Sequence, residues 1–197
     1  GAVSSAGLLA SSHGHTSPQI LTSEPVLIES VLADWKLDLS PAKWIWYPCE
    51  RVLQNTIILF RRQLTIDSPI KKATGWILGD SRYKLFVNGQ YVQFGPAPSD
   101  PRWAEADPID VTELLQQGDN TIGAKVLYFG QGDGTWPMGK PGFIFYLDIE
   151  FENGTSQQIV SDRNWQSCIA NSWQPGHYKR WYLRAFQEEF DARLYPY

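Results

Sequence analysis

The sequence predicts an all-β protein, an antiparallel β-sandwich or jelly roll. Three observations carry this: apolar residues recur at every second position in several stretches, Asn-Gly and Gly/Pro turn signals separate them, and long helical spacing is nearly absent. No strand-helix alternation points to a parallel sheet, and no repeat has a solenoid or propeller period.

The 197 residues suit one large domain with an ordinary hydrophobic share of 43%. Residues 1–24, rich in Ser, Gly, Ala and His, read as a flexible N-terminal extension, and residues 25–197 as the sandwich. "PVLIESVLADWKLDL" has mixed spacing that supports a short helix and a strand equally. "KWIWYP" (43–48) is a short strand stopped by proline. "NTIILFRRQLTI" (55–66) is a strand with Ile58, Phe60, Leu64 and Ile66 on one parity, which Arg62 shares. "KKATGWILGD" (71–80) is the next strand.

In "YKLFVNGQYV" (83–92), Asn88-Gly89 supplies the two positive-φ positions of a type I′ turn, so a hairpin is predicted. Pro96, Pro98 and Pro101 follow closely. Each lacks a backbone donor, so the ladder stops and a surface loop begins. "DVTELL" reads as a short helical turn capped by Asp110 or Thr112, followed by a Gly118-Asp119-Asn120 turn. Ile122, Ala124, Val126 and Tyr128 then alternate along a strand. "FIFYLDIEF" (143–151) is the cleanest period-two stretch, Asn153-Gly154 turns it into "TSQQIVSD", and "RWYLRAFQEEFDAR" is a last extended piece.

Charge and composition narrow the partners. Seventeen basic against 21 acidic side chains, net -4, leave no footprint for nucleic acid. No apolar run reaches membrane-spanning length. Nine Trp and 14% aromatic residues are many, and aromatic faces without a basic stripe suit a neutral ligand such as a sugar. Cys49 and Cys168 have no redox or zinc spacing; one disulfide and two free thiols both stay open. "GAVSSAGLLASSHGHTSPQ" reads as a tag remnant followed by the edge of a trimmed export signal, so a periplasmic or extracellular location is expected.

The order of the Tyr-x-Leu-x-Val-Asn-Gly hairpin, the Pro-rich loop and "IDVTELLQQGDNTIGAKV" (109–126) resembles the N-terminal β-sandwich of bacterial α-L-rhamnosidases. "EEFDAR" (188–193) is similar to that family's Glu-x-Tyr-Asp-Ala-Arg segment, with Phe190 in place of Tyr and Glu188 where Gly is common. The resemblance spans roughly residues 43–193. It implies a jelly-roll, galactose-binding-like accessory domain of a glycoside hydrolase whose catalytic carboxylates lie in a later helical barrel. The expected partners are the rest of that hydrolase chain and glycans containing rhamnose or galactose. A free-standing lectin-like module and the sandwich of a β-galactosidase-like hydrolase are the alternatives.

No catalytic residue is expected in this chain. A glycosidase needs two carboxyl groups across the scissile bond, and Glu188, Glu189 and Asp191 offer candidates. On an extended strand, however, Glu189, Asp191 and Arg193 share one face, and a structural salt-bridge cluster is the preferred reading. His13, His15 and His177 lack ligand spacing, so zinc is not expected. No cofactor is expected either, and a structural calcium ion has no motif to support it.

The binding candidates lie on loops, because galactose-binding-like sandwiches hold sugars at one end. Residues 95–107 offer Asp100, Arg102 and Trp103; residues 130–142 offer Asp133, Trp136 and Lys140; residues 171–181 add Trp173 and His177. The first two loops meet if the strands before them run in the same direction. The plainer reading is that Trp103 and Trp136 seal the open end or pack on the next domain.

Overall fold

The computed structural model describes residues 22–28, 37–132, 138–176 and 188–195. In chain order the strands are β1 (Val26–Ile28), β2 (Trp44–Trp46), β3 (Thr56–Ile66), β4 (Ile70–Asp80), β5 (Arg82–Val87), β6 (Gln90–Gly95), β7 (Asp107–Asp110), β8 (Gly118–Tyr128), β9 (Gly142–Phe151), β10 (Ser156–Val160) and β11 (Gln166–Ile169). They form two antiparallel sheets. The larger has the order β1-β2-β9-β4-β7, with β10 also on β9, and the smaller has the order β11-β3-β8-β5-β6.

Period-two patterning builds the core between the sheets. Ile58, Phe60 and Ile66 of β3, Ile122 and Val126 of β8, and Phe143, Phe145, Leu147 and Ile149 of β9 are all buried in one cluster. Phe60 and Phe143 stack across the two sheets at 4.9 Å, and Trp165 meets the edges of Phe143 and Phe145. Arg62 stands on the inward parity of β3, yet its Nη1 donates to the Asn164 carbonyl at 2.9 Å, so the charge leaves the core along the loop before β11.

The Asn-Gly hairpin is present, with φ of 50° at Asn88 and 78° at Gly89. Its asparagine does more than turn the chain. Asn88 Nδ2 donates to the Leu114 carbonyl and to Asn120 Oδ1, both at 2.9 Å, and its Oδ1 accepts from the Thr121 amide. Asn120 is buried; its Oδ1 also accepts from the Gln116 amide, and its Nδ2 donates to the carbonyls of Gln116 and Gly118. The two asparagines therefore pin the hairpin tip to the "DVTELL" turn. That turn is a single one, closed by the Leu115 amide on the Val111 carbonyl, with Asp110 Oδ1 accepting from the Thr112 amide.

The structure departs from the sequence reading in four places. Gly118, Asp119 and Asn120 are not a turn but the first residues of β8, paired with Ile66, Thr65 and Leu64; the Asn120 side chain satisfies the local backbone that a turn would otherwise close. β7 is a strand despite its proline, because Pro108 sits on the edge strand of its sheet, where a missing donor is tolerated. β11 has Ser167 and Cys168, adjacent on opposite faces and both buried, instead of alternating large apolar residues, so it shows no clear alternation. In "RWYLRAFQEEFDAR", residues 180–187 lie outside the described set. After Phe190 the chain leaves extended geometry for a 3-10 turn, Ala192–Leu194, because Asp191 caps it. Cys49 is exposed and Cys168 buried, and both are free thiols. Among the described residues no helix is long and apolar enough to cross a membrane.

Candidate functional site

β6 and β8 both flank β5 and both run antiparallel to it, so they point the same way and the loops that follow them open at one end of the sandwich. β4 ends there at Asp80, paired with Gly142, and β7 starts there at Asp107, paired with Ile77. Among the described residues, that end is built by 80–82, 95–107, 128–132 and 138–142.

A polar network organises one side of it. Tyr83 starts on the inward parity of β5, so its ring is buried and its phenol needs a partner. The hydroxyl donates to Asp107 Oδ2 at 2.5 Å and accepts from Gln93 Nε2 at 2.7 Å. Burial, and then the Asp107 carboxylate, push the Tyr83 phenol well above its usual range, so it stays a neutral donor. Gly95 allows this approach: a Cβ there would lie 2.2 Å from Asp107 Oδ2 and 2.8 Å from the Tyr83 oxygen.

Beside the network, Arg82 donates from Nη1 to the Ser81 carbonyl at 2.8 Å and lies over the Phe129 ring at 5.8 Å. Burial lowers its guanidinium, while Asp80 and Asp107 act in the opposite direction. Asp80 is raised by burial, against hydrogen bonds from Ser81 and the Lys140 backbone and the charge of Arg82. Between the end of β6 and the start of β7 lies an open cleft of about 470 Å³, whose walls include Arg82, Gln93, Phe94, Pro96, Asp107 and Pro108. Amide, guanidinium and carboxylate groups thus stand next to an aromatic face and prolines. This chemistry accepts hydroxyl groups and apolar C–H surface together.

The residues expected from the sequence fall in different places. Asp100 caps a 3-10 turn, Pro101–Trp103, and is held by Arg102 through its backbone amide at 2.9 Å and its guanidinium at 2.6 Å. Those bonds hold the Asp100 carboxyl down, to about 2. Trp103 is 64% exposed at the same end, outside the cleft walls. Asp133, Trp136 and His177 lie outside the described residues. Trp173 is buried on the outer face of the smaller sheet, between Phe190 at 4.8 Å and Tyr195 at 5.7 Å; its Nε1 donates to Glu188, and Lys125 Nζ sits 4.3 Å from its ring. In "EEFDAR", Asp191 pairs with Arg193 at 2.6 Å and Glu188 with Trp173, so the expected shared strand face is replaced by a cap and an indole contact. Among the described residues no group of three or more His, Cys, Asp or Glu side chains is placed to hold a metal.

Arg82, Tyr83, Gln93 and Asp107 were absent from the sequence-derived site. Tyr83 carried a signal, since a tyrosine on a core parity must find a hydrogen-bond partner. Arg82 and Asp107 come together only because β7 pairs with β4, whose chain passes directly into β5 of the other sheet.

Two antiparallel sheets with a loop-framed cleft at one end define an antiparallel β-sandwich domain. The family model described as the alpha-L-rhamnosidase N-terminal domain matches residues 68–196, and the chain belongs to that family. An alpha-L-rhamnosidase of Formosa agariphila is 27% identical over 122 residues, covering 54% of this chain and 13% of that protein. The GH78 family rhamnosidase of Bacillus sp. GL1 is 31% identical with a TM-score of 0.61, over 70% of this chain and 14% of that one. The Streptomyces avermitilis alpha-L-rhamnosidase, solved with L-rhamnose, is 25% identical with a TM-score of 0.54, over 74% of this chain and 14% of that one. The chain thus spans about one-seventh of the length of these relatives.

Proposed function

We propose that this chain is a non-catalytic accessory domain of an α-L-rhamnosidase, and that the cleft between β6 and β7 is its sugar-contact surface. The observation that carries this is the composition of the cleft wall: Gln93, Arg82 and Asp107 offer donors and acceptors around a Phe94 ring that is 55% exposed. Two facts support a non-catalytic role. The Asp107 carboxylate is engaged by Tyr83, and Asp80 accepts from Ser81 and the Lys140 backbone, so neither is disposed as one of the two working carboxyl groups a glycosidase needs. The complex of the Streptomyces avermitilis enzyme with L-rhamnose supports a rhamnose-containing ligand.

Calorimetric titration of the chain with L-rhamnose and with rhamnose-terminated oligosaccharides tests the proposal. Saturable heat that Gln93→Ala and Arg82→Gln reduce by about tenfold in affinity is expected, since losing one such contact is worth on the order of 1.4 kcal/mol. Heat unaffected by either variant places binding elsewhere. No hydrolysis of an aryl rhamnoside is expected, and turnover by the chain alone overturns the non-catalytic reading.

A further inference from the structure

We infer that the outer face of the smaller sheet, around β5 and β6, docks onto the remainder of the rhamnosidase polypeptide through a surface that is apolar and acidic. This rests on the reading of the chain as one domain of a longer enzyme. The two sheets treat their outer faces differently. On the larger sheet, Leu78 and Ile144 are covered by the chain's own Leu37, Leu39, Ala42, Ala104 and Ala106. On the smaller sheet, the segment 188–195 covers only the β3 and β8 side, where Ile57, Leu59 and Leu127 pack with Trp173 and Tyr195. Among the described residues the β5 and β6 side is left open.

What stands there is aromatic and basic. Tyr91 is 58% exposed, and Phe86 meets it edge-on at 6.0 Å. Phe190 and Leu194, on the covering segment, are 46% and 45% exposed. Lys84 lies between these groups, directly opposite Lys125 across the β5–β8 ladder and opposite Phe94 across the hairpin. Like charges directly opposed in a sheet are unfavourable. Lys125 is lowered by burial and then by Lys84, with Glu188 opposing. A partner carrying carboxylates relieves that repulsion, and apolar groups cover the rings.

The same lysines argue against a second copy as occupant, because a two-fold contact sets a patch against itself and would bring Lys84 towards its own mate. The remainder of a longer enzyme is favoured because the similar enzymes have most of their length outside this domain, and segment 188–195 adds the exposed Phe190 and Leu194 to the same face.

Hydrogen–deuterium exchange of the isolated chain and of the full-length rhamnosidase that carries it tests the assignment. Peptides from 84–91 and 188–195 are expected to exchange about tenfold more slowly in the full-length enzyme, with peptides of β10 unchanged. Lys84→Glu and Tyr91→Ser, both at solvent-facing positions, should remove that protection while leaving the circular dichroism of the isolated chain intact. Equal exchange in the two proteins overturns the proposal. So does a dimer of the isolated chain that Tyr91→Ser dissociates, or protection of residues 84–91 of the isolated chain by oligosaccharide alone, since these assign the face to a second copy or to glycan. Sugar binding at Gln93 and Arg82 is read separately by calorimetry, so either proposal can fail alone.

Discussion

Replacing Asn120 by Ala removes a side chain that is 3% exposed and hydrogen-bonded to Gln116, Gly118 and Asn88. A hydrogen bond is worth about 1 kcal/mol net, and Gln116 is exposed enough to turn to water, so the loss is about 3 kcal/mol. For a chain of this size that lowers Tm by about 6–12 °C. Asn88→Gly keeps the left-handed backbone of φ 50° while deleting the contacts to Leu114, Asn120 and Thr121, at a cost of about 2 kcal/mol. Because the two amides touch at 2.9 Å, the double variant should cost about 1 kcal/mol less than the sum. Urea unfolding followed by fluorescence, with the four proteins compared at equal m-value, gives the coupling. Single losses below about 0.5 kcal/mol, or additivity within about 0.3 kcal/mol, would refute the claim that these asparagines hold the hairpin to the turn.

Other outcomes follow from the open end and the covering segment. Tyr83→Phe should lose about 1–2 kcal/mol in urea unfolding, since Asp107 and Gln93 are left without their shared partner. Gly95→Ala should cost about 2 kcal/mol or more by overpacking against Asp107 and Tyr83. Carboxyl-carbon NMR should titrate Asp100 and Asp191 with midpoints near 2, returning towards 3.8 in Arg102→Gln and Arg193→Gln respectively. Because both carboxyls are depressed in the fold, their stabilising effect is present above pH 3.8 and lost as pH falls through about 2. Phe190→Ala should open the Trp173 indole to acrylamide quenching; unchanged quenching would contradict the packing of segment 188–195 on that ring.

The architecture was legible because β3, β4, β8 and β9 are long strands whose buried residues alternate, and periodicity reports that directly. The hairpin was legible from Asn88-Gly89. The bond between Asn88 and Asn120 was not, because it joins residues that only the register of β8 against β3 and β5 brings together. β11 escaped notice because its buried residues, Ser167 and Cys168, are small and adjacent, which leaves no period-two pattern. For the site, the sequence showed that loops after β6 and β8 carry Asp, Arg and Trp. It did not show that Asp100 and Arg102 would close on each other, a two-residue contact made when Pro101 bends the chain into a 3-10 turn. Nor did it show Arg82, Gln93 and Asp107 around one cleft, since these come from three strands in two sheets.

Chemical-shift mapping of the amide-labelled chain during titration with a rhamnose-containing oligosaccharide tests the sugar-contact cleft most directly. The account predicts dose-dependent shifts concentrated at the amides of Arg82, Gln93, Phe94, Gly95, Ala97 and Asp107, with Asn88 and Asn120 still. A spectrum that does not move, or shifts confined to residues outside the β6–β7 cleft, would contradict it.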